Sequence, residues 1–263
     1  MSITGIIIAT VIVGGVGVFI GLFLGAAGEK FKVETDEREE AVRELLPGNN
    51  CGGCGYAGCD AMAAAIVAGE APVNGCPVGG APVGEKIAAV MGVEAGETKK
   101  MTAFVKCAGT CGIAPKAYEY SGADDCRFVS MMQNGGDKAC AYGCLGYVSC
   151  VKACEFDAIH IVDGVAVVDP DACKACGRCA AVCPKNLIEI IPAEGVSKVR
   201  CASRDKGKDV MKVCKAGCIG CMKCTKVCEA GAITVEGSLA HIDYDKCTGC
   251  GKCKEECPRK IIE

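Results

Sequence analysis

Cysteine, at 25 of 263 residues, constrains this chain more than any other feature. A chain this long with so many thiols is either a secreted disulfide framework or a metal protein. Spacing separates the two. The stretches "CGGCGYAGC" (51–59, with Cys76-Pro77 following), "CKACGRCAAVCP" (173–184) and "CTGCGKCKEECP" (247–258) set thiols at short intervals in glycine-rich loops. Such loops let a backbone fold closely round a polynuclear centre. Cys51, Cys54, Cys59 and Cys76 group as three plus one, which suits a cubane [4Fe–4S] cluster. Structural zinc on four cysteines is the competing reading, although zinc sites more often pair two Cys-x-x-Cys knuckles. Tryptophan is absent and aromatics are 5% of residues, too little bulky material for an ordinary core of this size. Thiolate-bonded clusters would fill the interior, and their binding free energy would become folding free energy.

Residues 3–28 carry no charge. At about 1.5 Å rise per residue, a helix of that length exceeds the roughly 30 Å hydrocarbon layer. No basic segment precedes it, as it would in a secretory signal, so residues 1–28 are expected to be an uncleaved transmembrane anchor. Gly17, Gly21 and Gly25 recur at every fourth position, a stripe against which a partner helix could pack. The flanking charges orient the span weakly: Lys30, Lys32 and Arg38 stand against Glu29, Glu34, Asp36, Glu37, Glu39 and Glu40. Cluster-spaced thiols belong in a reducing compartment. The soluble part is therefore expected to face the cytoplasm from the inner (cytoplasmic) membrane. A formal net charge of −3 gives no reason to expect nucleic acid.

Residues 29–50 read as an amphipathic linker helix, with Val42, Leu45 and Leu46 on one face and Pro47-Gly48 as its stop. Residues 51–96 read as a small [4Fe–4S] domain holding a helix over 61–68, capped by Asp60, and 97–137 as a connector with extra cysteines. The remainder contains an internal repeat. Shifted by 74 residues, 143–184 lies without gaps on 217–258, with 18 of 42 positions identical and only seven of those cysteines. Ligand spacing alone does not produce the other matches, so modules 138–196 and 197–263 are read as a duplication. Each copy runs cysteine loop, short hairpin, cysteine loop, turning at Asp163-Gly164 and at Glu236-Gly237. His160 and His241 fall in the hairpin strands at non-equivalent positions and read as strand side chains. No nucleophile elbow, phosphate-cradling loop or dinucleotide fingerprint is present, so neither a bond-making active site nor flavin or NAD is expected on this chain.

The two modules resemble the bacterial two-cluster ferredoxin fold, which makes the expected fold class α+β: anchor helix, [4Fe–4S] domain, two tandem ferredoxin-like modules. In that family the fourth cysteine of each loop ligates the other cluster. The resemblance implies Cys218, Cys221 and Cys224 with Cys257; Cys247, Cys250 and Cys253 with Cys228; and Cys173, Cys176 and Cys179 with Cys154. The remaining site has Cys144, Cys150 and Cys183, with Tyr147 where its repeat has Cys221. Cys140, in "CAYGC" just upstream, is expected to fill that corner; a three-cysteine [3Fe–4S] site is the alternative. Five cysteines are then spare. A sixth cluster on Cys107, Cys126, Cys201 and Cys214 is expected, with Cys111 left over; buried free cysteines are the alternative.

Along its length the chain resembles the RnfB family, the B components of Rnf complexes, in the long form with two modules. Rnf complexes are the ion-translocating ferredoxin:NAD+ oxidoreductases of bacterial membranes. "CGGCGYAGC" with its later Cys76-Pro77 is the most specific element. The resemblance implies a translocase subunit that accepts electrons from reduced ferredoxin (or flavodoxin) and relays them through several [4Fe–4S] clusters. They pass to the other membrane subunits of the complex, which reduces NAD+ and exports Na+ or H+. A polyferredoxin subunit of another membrane assembly, a hydrogenase or redox-sensor reducer, is an alternative, as is a structural zinc protein. Nine basic and two acidic residues lie between Lys198 and Lys226. This patch, including Lys206, Lys208 and Lys212, could receive an acidic ferredoxin or merely offset the clusters' negative charge.

Overall fold

The uncharged N-terminal run forms one helix, α1 (Ile3–Lys30), in a computed structural model that describes residues 3–30, 36–97 and 99–263. Among the described residues it is the one helix long and apolar enough to cross a bilayer, with a mean hydropathy of 2.2 over Val11–Gly28 and none of that window buried. Gly17, Gly21 and Gly25 lie exposed along it with open space around each. The flanking residues Lys32 and Glu34 fall outside the described residues.

Helix α2 (Glu37–Leu45) starts where the Asp36 side chain accepts the Arg38 amide hydrogen at 2.9 Å, a side-chain N-cap that satisfies one otherwise orphaned donor. Helices α3 (Cys59–Val67) and α4 (Gly80–Met91) follow. Val42 and Leu46 are buried with Met62, Ile66, Ile87 and Cys76 in one core. The segment read as a linker is therefore a wall of the first domain. Asp60, expected to cap α3, instead pairs with Arg43 at 2.5 Å, and Asn50 receives the Cys59 amide hydrogen at 2.8 Å.

Beyond lie β1 (Met101–Val105), α5 (Cys126–Ser130), α6 (Ser149–Lys152), β2 (Ile159–Val162), β3 (Val165–Val168), α7 (Arg178–Val182) and β4 (Ile188–Pro192). The second copy supplies α8 (Gly207–Val213), α9 (Lys223–Lys226), β5 (Ile233–Glu236), β6 (Leu239–Ile242) and α10 (Lys252–Glu255). The hairpins β2–β3 and β5–β6 share one register, Ile159 opposite Val168 and Ile233 opposite Ile242. Backbone conformation repeats as well. Positive φ recurs at Gly146 and Gly220, Val148 and Met222, Asp157 and Gly231, Ala175 and Gly249, and Asn186 and Lys260. A Cβ on Gly146 would stand 2.8 Å from the Gly164 carbonyl oxygen, and one on Gly220 3.0 Å from Ser238 Cα. Each loop thus closes directly on its hairpin turn.

Strand β1 lies in the segment read as a connector, yet it pairs antiparallel with β4 along Met101–Val105. It belongs to the first module. The second module repeats the feature with a bridge between Val199 and Ile262 and backbone bonds from Lys198 to Glu263 and Arg200 to Ile261. Val105 thus corresponds to Val199, and Cys107 to Cys201. The duplication extends upstream of its gapless part, interrupted because 32 residues separate Cys107 from Cys140 but only 12 separate Cys201 from Cys214.

Candidate metal centres

Each module's core is partly made of sulfur. Cys107, Cys150 and Cys179 are buried with Ile159, Val165 and Leu187 in the first; Cys201, Cys218, Cys224 and Cys253 with Ile233 and Leu239 in the second. The thiols gather in fours. Cys218, Cys221, Cys224 and Cys257 line one pocket, and Cys126, Cys144, Cys150 and Cys183 line another. Cys107, Cys140, Cys201 and Cys214 line a third. Four thiols in one lining are the donor set of a cubane.

Cys154 stands beside Cys173, Cys176 and Cys179, and Cys76 beside Cys54 and Cys59. Cys228, Cys247, Cys250 and Cys253 occupy the repeat-equivalent positions of Cys154, Cys173, Cys176 and Cys179. The first domain abuts the module. The position of a Cβ on Gly53 lies 2.9 Å from the Cys176 carbonyl oxygen, and Cys51 is close enough to interact with the Cys176 thiol.

Backbone amides point at the sulfurs. Ala103 donates to Cys173 at 3.3 Å and Ser197 to Cys247 at 3.4 Å, equivalent bonds in the two copies. Leu187 donates to Cys183 at 3.4 Å, Ala166 to Cys144 at 3.5 Å and Gly79 to Cys76 at 3.4 Å. Such donors stabilise thiolate charge and raise a cluster's potential. Burial acts the other way on the free thiols, pushing Cys150 up to about 12 and Cys179, Cys201 and Cys224 up to about 11. These groups hold their protons at neutral pH until iron displaces them.

The Tyr147 corner is filled differently from the expectation. Cys140 lines the cavity of Cys107, Cys201 and Cys214, while Cys126 lines that of Cys144, Cys150 and Cys183. The two exchange places because the extra residues of the first copy fold back over the loop. Tyr147 donates its hydroxyl hydrogen to Asp137 at 2.7 Å. The Lys116 ammonium pairs with the same carboxylate at 2.8 Å and lies 5.6 Å from the Tyr147 ring. Buried Lys138 donates to the Gly109 and Gly164 carbonyls at 2.8 Å each. With the insertion anchored there, Asp125 caps α5, and Ser149 accepts the Cys126 amide hydrogen at 2.7 Å. Cys111 is exposed and lines neither cavity. Lys206, Lys208 and Lys212 are exposed around α8, where Lys212 pairs with Asp209 at 2.8 Å.

One sequence signal for the exchange was available: "VKCAG" at 105–109 matches "VRCAS" at 199–203. It aligns Cys107 with Cys201; with Cys140 opposite Cys214 in the 74-residue shift, Cys111 and Cys126 are left without counterparts.

Cysteine quartets set in duplicated loop–hairpin–loop units define a ferredoxin-type iron–sulfur protein. Sequence families agree: an Fe-S cluster family matches residues 46–78, a 4Fe-4S binding domain residues 166–189, and a 4Fe-4S dicluster domain residues 217–261. The B component of the Na+-translocating ferredoxin:NAD+ oxidoreductase complex of Acetobacterium woodii is 46% identical over 99% of this chain and 78% of its own length. Its counterpart in the ion-translocating oxidoreductase complex of Methanosarcina acetivorans is 45% identical over 96% of each chain. The B component of the proton-translocating ferredoxin:NAD+ oxidoreductase complex of Clostridium ljungdahlii is 38% identical over 98% of this chain and 92% of its own. The chain belongs to this family, the B components of ion-translocating oxidoreductase complexes.

Proposed function

We propose that this chain is the electron-transfer subunit of an ion-translocating ferredoxin:NAD+ oxidoreductase, taking single electrons from reduced ferredoxin and passing them to partner subunits. The observation that carries the reading is the recurrence of cysteine quartets in the first domain and in both modules. [4Fe–4S] clusters would be held by Cys51, Cys54, Cys59 and Cys76; by Cys154, Cys173, Cys176 and Cys179; and by Cys126, Cys144, Cys150 and Cys183. Cys218, Cys221, Cys224 and Cys257 would hold another, and Cys228, Cys247, Cys250 and Cys253 the fifth. When bound, such clusters exchange one electron each without bond rearrangement, and the amides aimed at Cys173, Cys247 and Cys183 tune their potentials. Helix α1 would anchor the chain in the inner membrane, with the remainder facing the reducing cytoplasm. The coupling ion is left open, since related complexes are named for Na+ and for protons.

The exposed lysines around α8 offer a docking face for an acidic ferredoxin. The test is anaerobic stopped-flow bleaching of the brown holoprotein by reduced ferredoxin. Bleaching is expected, slowed and made less salt-dependent in Lys206→Glu/Lys208→Glu. A colourless, iron-free chain would remove the proposal; an unchanged rate in the double variant would remove only the docking face.

A further inference from the structure

The first domain covers one face of the first module, and the second module carries the same face uncovered. In the first module, residues 173–177 line a cleft shared with Gly53, Cys76, Pro77 and Val78 of the first domain, and Gly53 stands against the Cys176 backbone. Cys51 and the Arg178 guanidinium lie close to the Cys176 thiol, and Glu155 holds Arg178 in an ion pair. Shifted by 74 residues, Cys176, Arg178 and Glu155 become Cys250, Lys252 and Glu229. Lys252 pairs with Glu229 at 2.5 Å and lies close to the Cys250 thiol. The backbone between thiol and cation repeats as well, with φ 77° and ψ −6° at Gly177 and φ 76° and ψ −8° at Gly251.

Cover is what differs. Ala175 is 8% exposed, whereas its counterpart Gly249 is exposed along with Thr248 and Cys250. The Glu155 side chain is 46% exposed and that of Glu229 82%. The loop that covers the first face, residues 51–58, has four glycines and no charged side chain. It fits by shape, since glycine lets its backbone come against Cys176. The uncovered face suits the same kind of occupant, because its cation Lys252 is already paired within the module. Electron tunnelling weakens steeply with distance, so a cluster ligated by Cys250 exchanges electrons only with a centre brought into contact with that loop.

We propose that residues 248–252 of the second module are the seat of the donor ferredoxin, whose cluster-bearing loop rests on Cys250 as the first domain's loop rests on Cys176. The proposal rests on the electron-relay reading and deepens it by naming where the donor makes contact. Seat and attraction are then separate functions of one module. The exposed lysines around α8 draw an acidic partner in, and the face at Cys250 fixes its approach by shape.

The experiment titrates the anaerobically prepared full-length holoprotein with oxidised two-cluster ferredoxin in a calorimeter, so that binding is read without electron transfer. Thr248→Trp, which adds bulk beside Cys250, should weaken binding about tenfold or more at unchanged iron content. The loss should be the same at low and high salt, because it is steric and not a loss of charge. Val162→Trp, at a 55% exposed position on the first module, should bind as the wild type does. Wild-type affinity in Thr248→Trp, or an equal loss in Val162→Trp, would overturn the proposal. So would a dimer of the chain that Thr248→Trp abolishes, since the seat would then belong to a second copy. Should Thr248→Trp fail to fold, hydrogen exchange of the wild type decides: oxidised ferredoxin should slow the amides of residues 248–252 and not those of 174–178, and no slowing would overturn the proposal. Each of these failures leaves the relay reading intact. A holoprotein that reduced ferredoxin never bleaches would remove the relay reading itself.

Discussion

Replacing Cys126 by alanine should leave the site of Cys144, Cys150 and Cys183 with three thiolates, and Tyr147→Cys should repair it. The repair follows from the repeat. Tyr147 occupies the position of Cys221, and the next residue has the same left-handed backbone in both copies, φ 49° at Val148 and 57° at Met222. A cysteine at 147 would therefore be presented as Cys221 is. The repair has a cost. Tyr147 donates to fully buried Asp137 at 2.7 Å, and the other carboxylate oxygen of Asp137 already has no hydrogen-bond partner. Removing that donor costs about 1–3 kcal/mol. The edge-on contact of Tyr147 with Tyr120, 5.4 Å between ring centres, adds about 0.5–1.5 kcal/mol. The sum, about 1.5–4.5 kcal/mol, implies a melting temperature lower by roughly 3–18 °C at about 2–4 °C per kcal/mol. Oxidised three-iron clusters are paramagnetic and oxidised cubanes are not, so electron paramagnetic resonance reads the outcome. Cys126→Ala should show the three-iron signal, and Cys126→Ala/Tyr147→Cys should lose it at reduced thermal stability. Cys140→Ala/Tyr147→Cys should gain no such repair. If Tyr147→Cys repairs Cys140→Ala and not Cys126→Ala, the assignment of Cys126 is refuted.

Gly53→Leu places a side chain where the Cys176 backbone stands, 2.9 Å from the first added carbon. Overpacking of about 1–3 kcal/mol should push the first domain away, slowing reduction of its cluster while iron content stays at the wild-type value. Because burial raises the thiols of Cys150, Cys179, Cys201 and Cys224, iron uptake by the apo chain must release their protons. Reconstitution should therefore grow more favourable as pH rises from 6 to 8, with proton release measurable in weak buffer; a pH-independent affinity would contradict the burial argument.

How much of this was legible beforehand depended on whether a feature was local. The Gly-rich cysteine loops, the hairpins turning at Asp163-Gly164 and Glu236-Gly237, and the 74-residue repeat are all short-range patterns, and the fold follows them. What adjacency does not give is which thiols share a pocket. Cys140 is only four positions from Cys144 but lines the pocket of Cys107, Cys201 and Cys214, whereas Cys126, 18 positions before Cys144, lines that of Cys144, Cys150 and Cys183. An insertion defeats a gapless comparison, so the repeat equivalence of Cys107 and Cys201 and the pairing of β1 with β4 are not legible in it. The amphipathic segment around Val42 was read for its helix and not for its partner, since periodicity identifies an apolar face but not what covers it.

Because the amide bonds to Cys173 and Cys247 are equivalent in the two copies while those to Cys144 and Cys183 are made in the first, the duplication keeps one half of each unit matched and leaves the other half free to diverge.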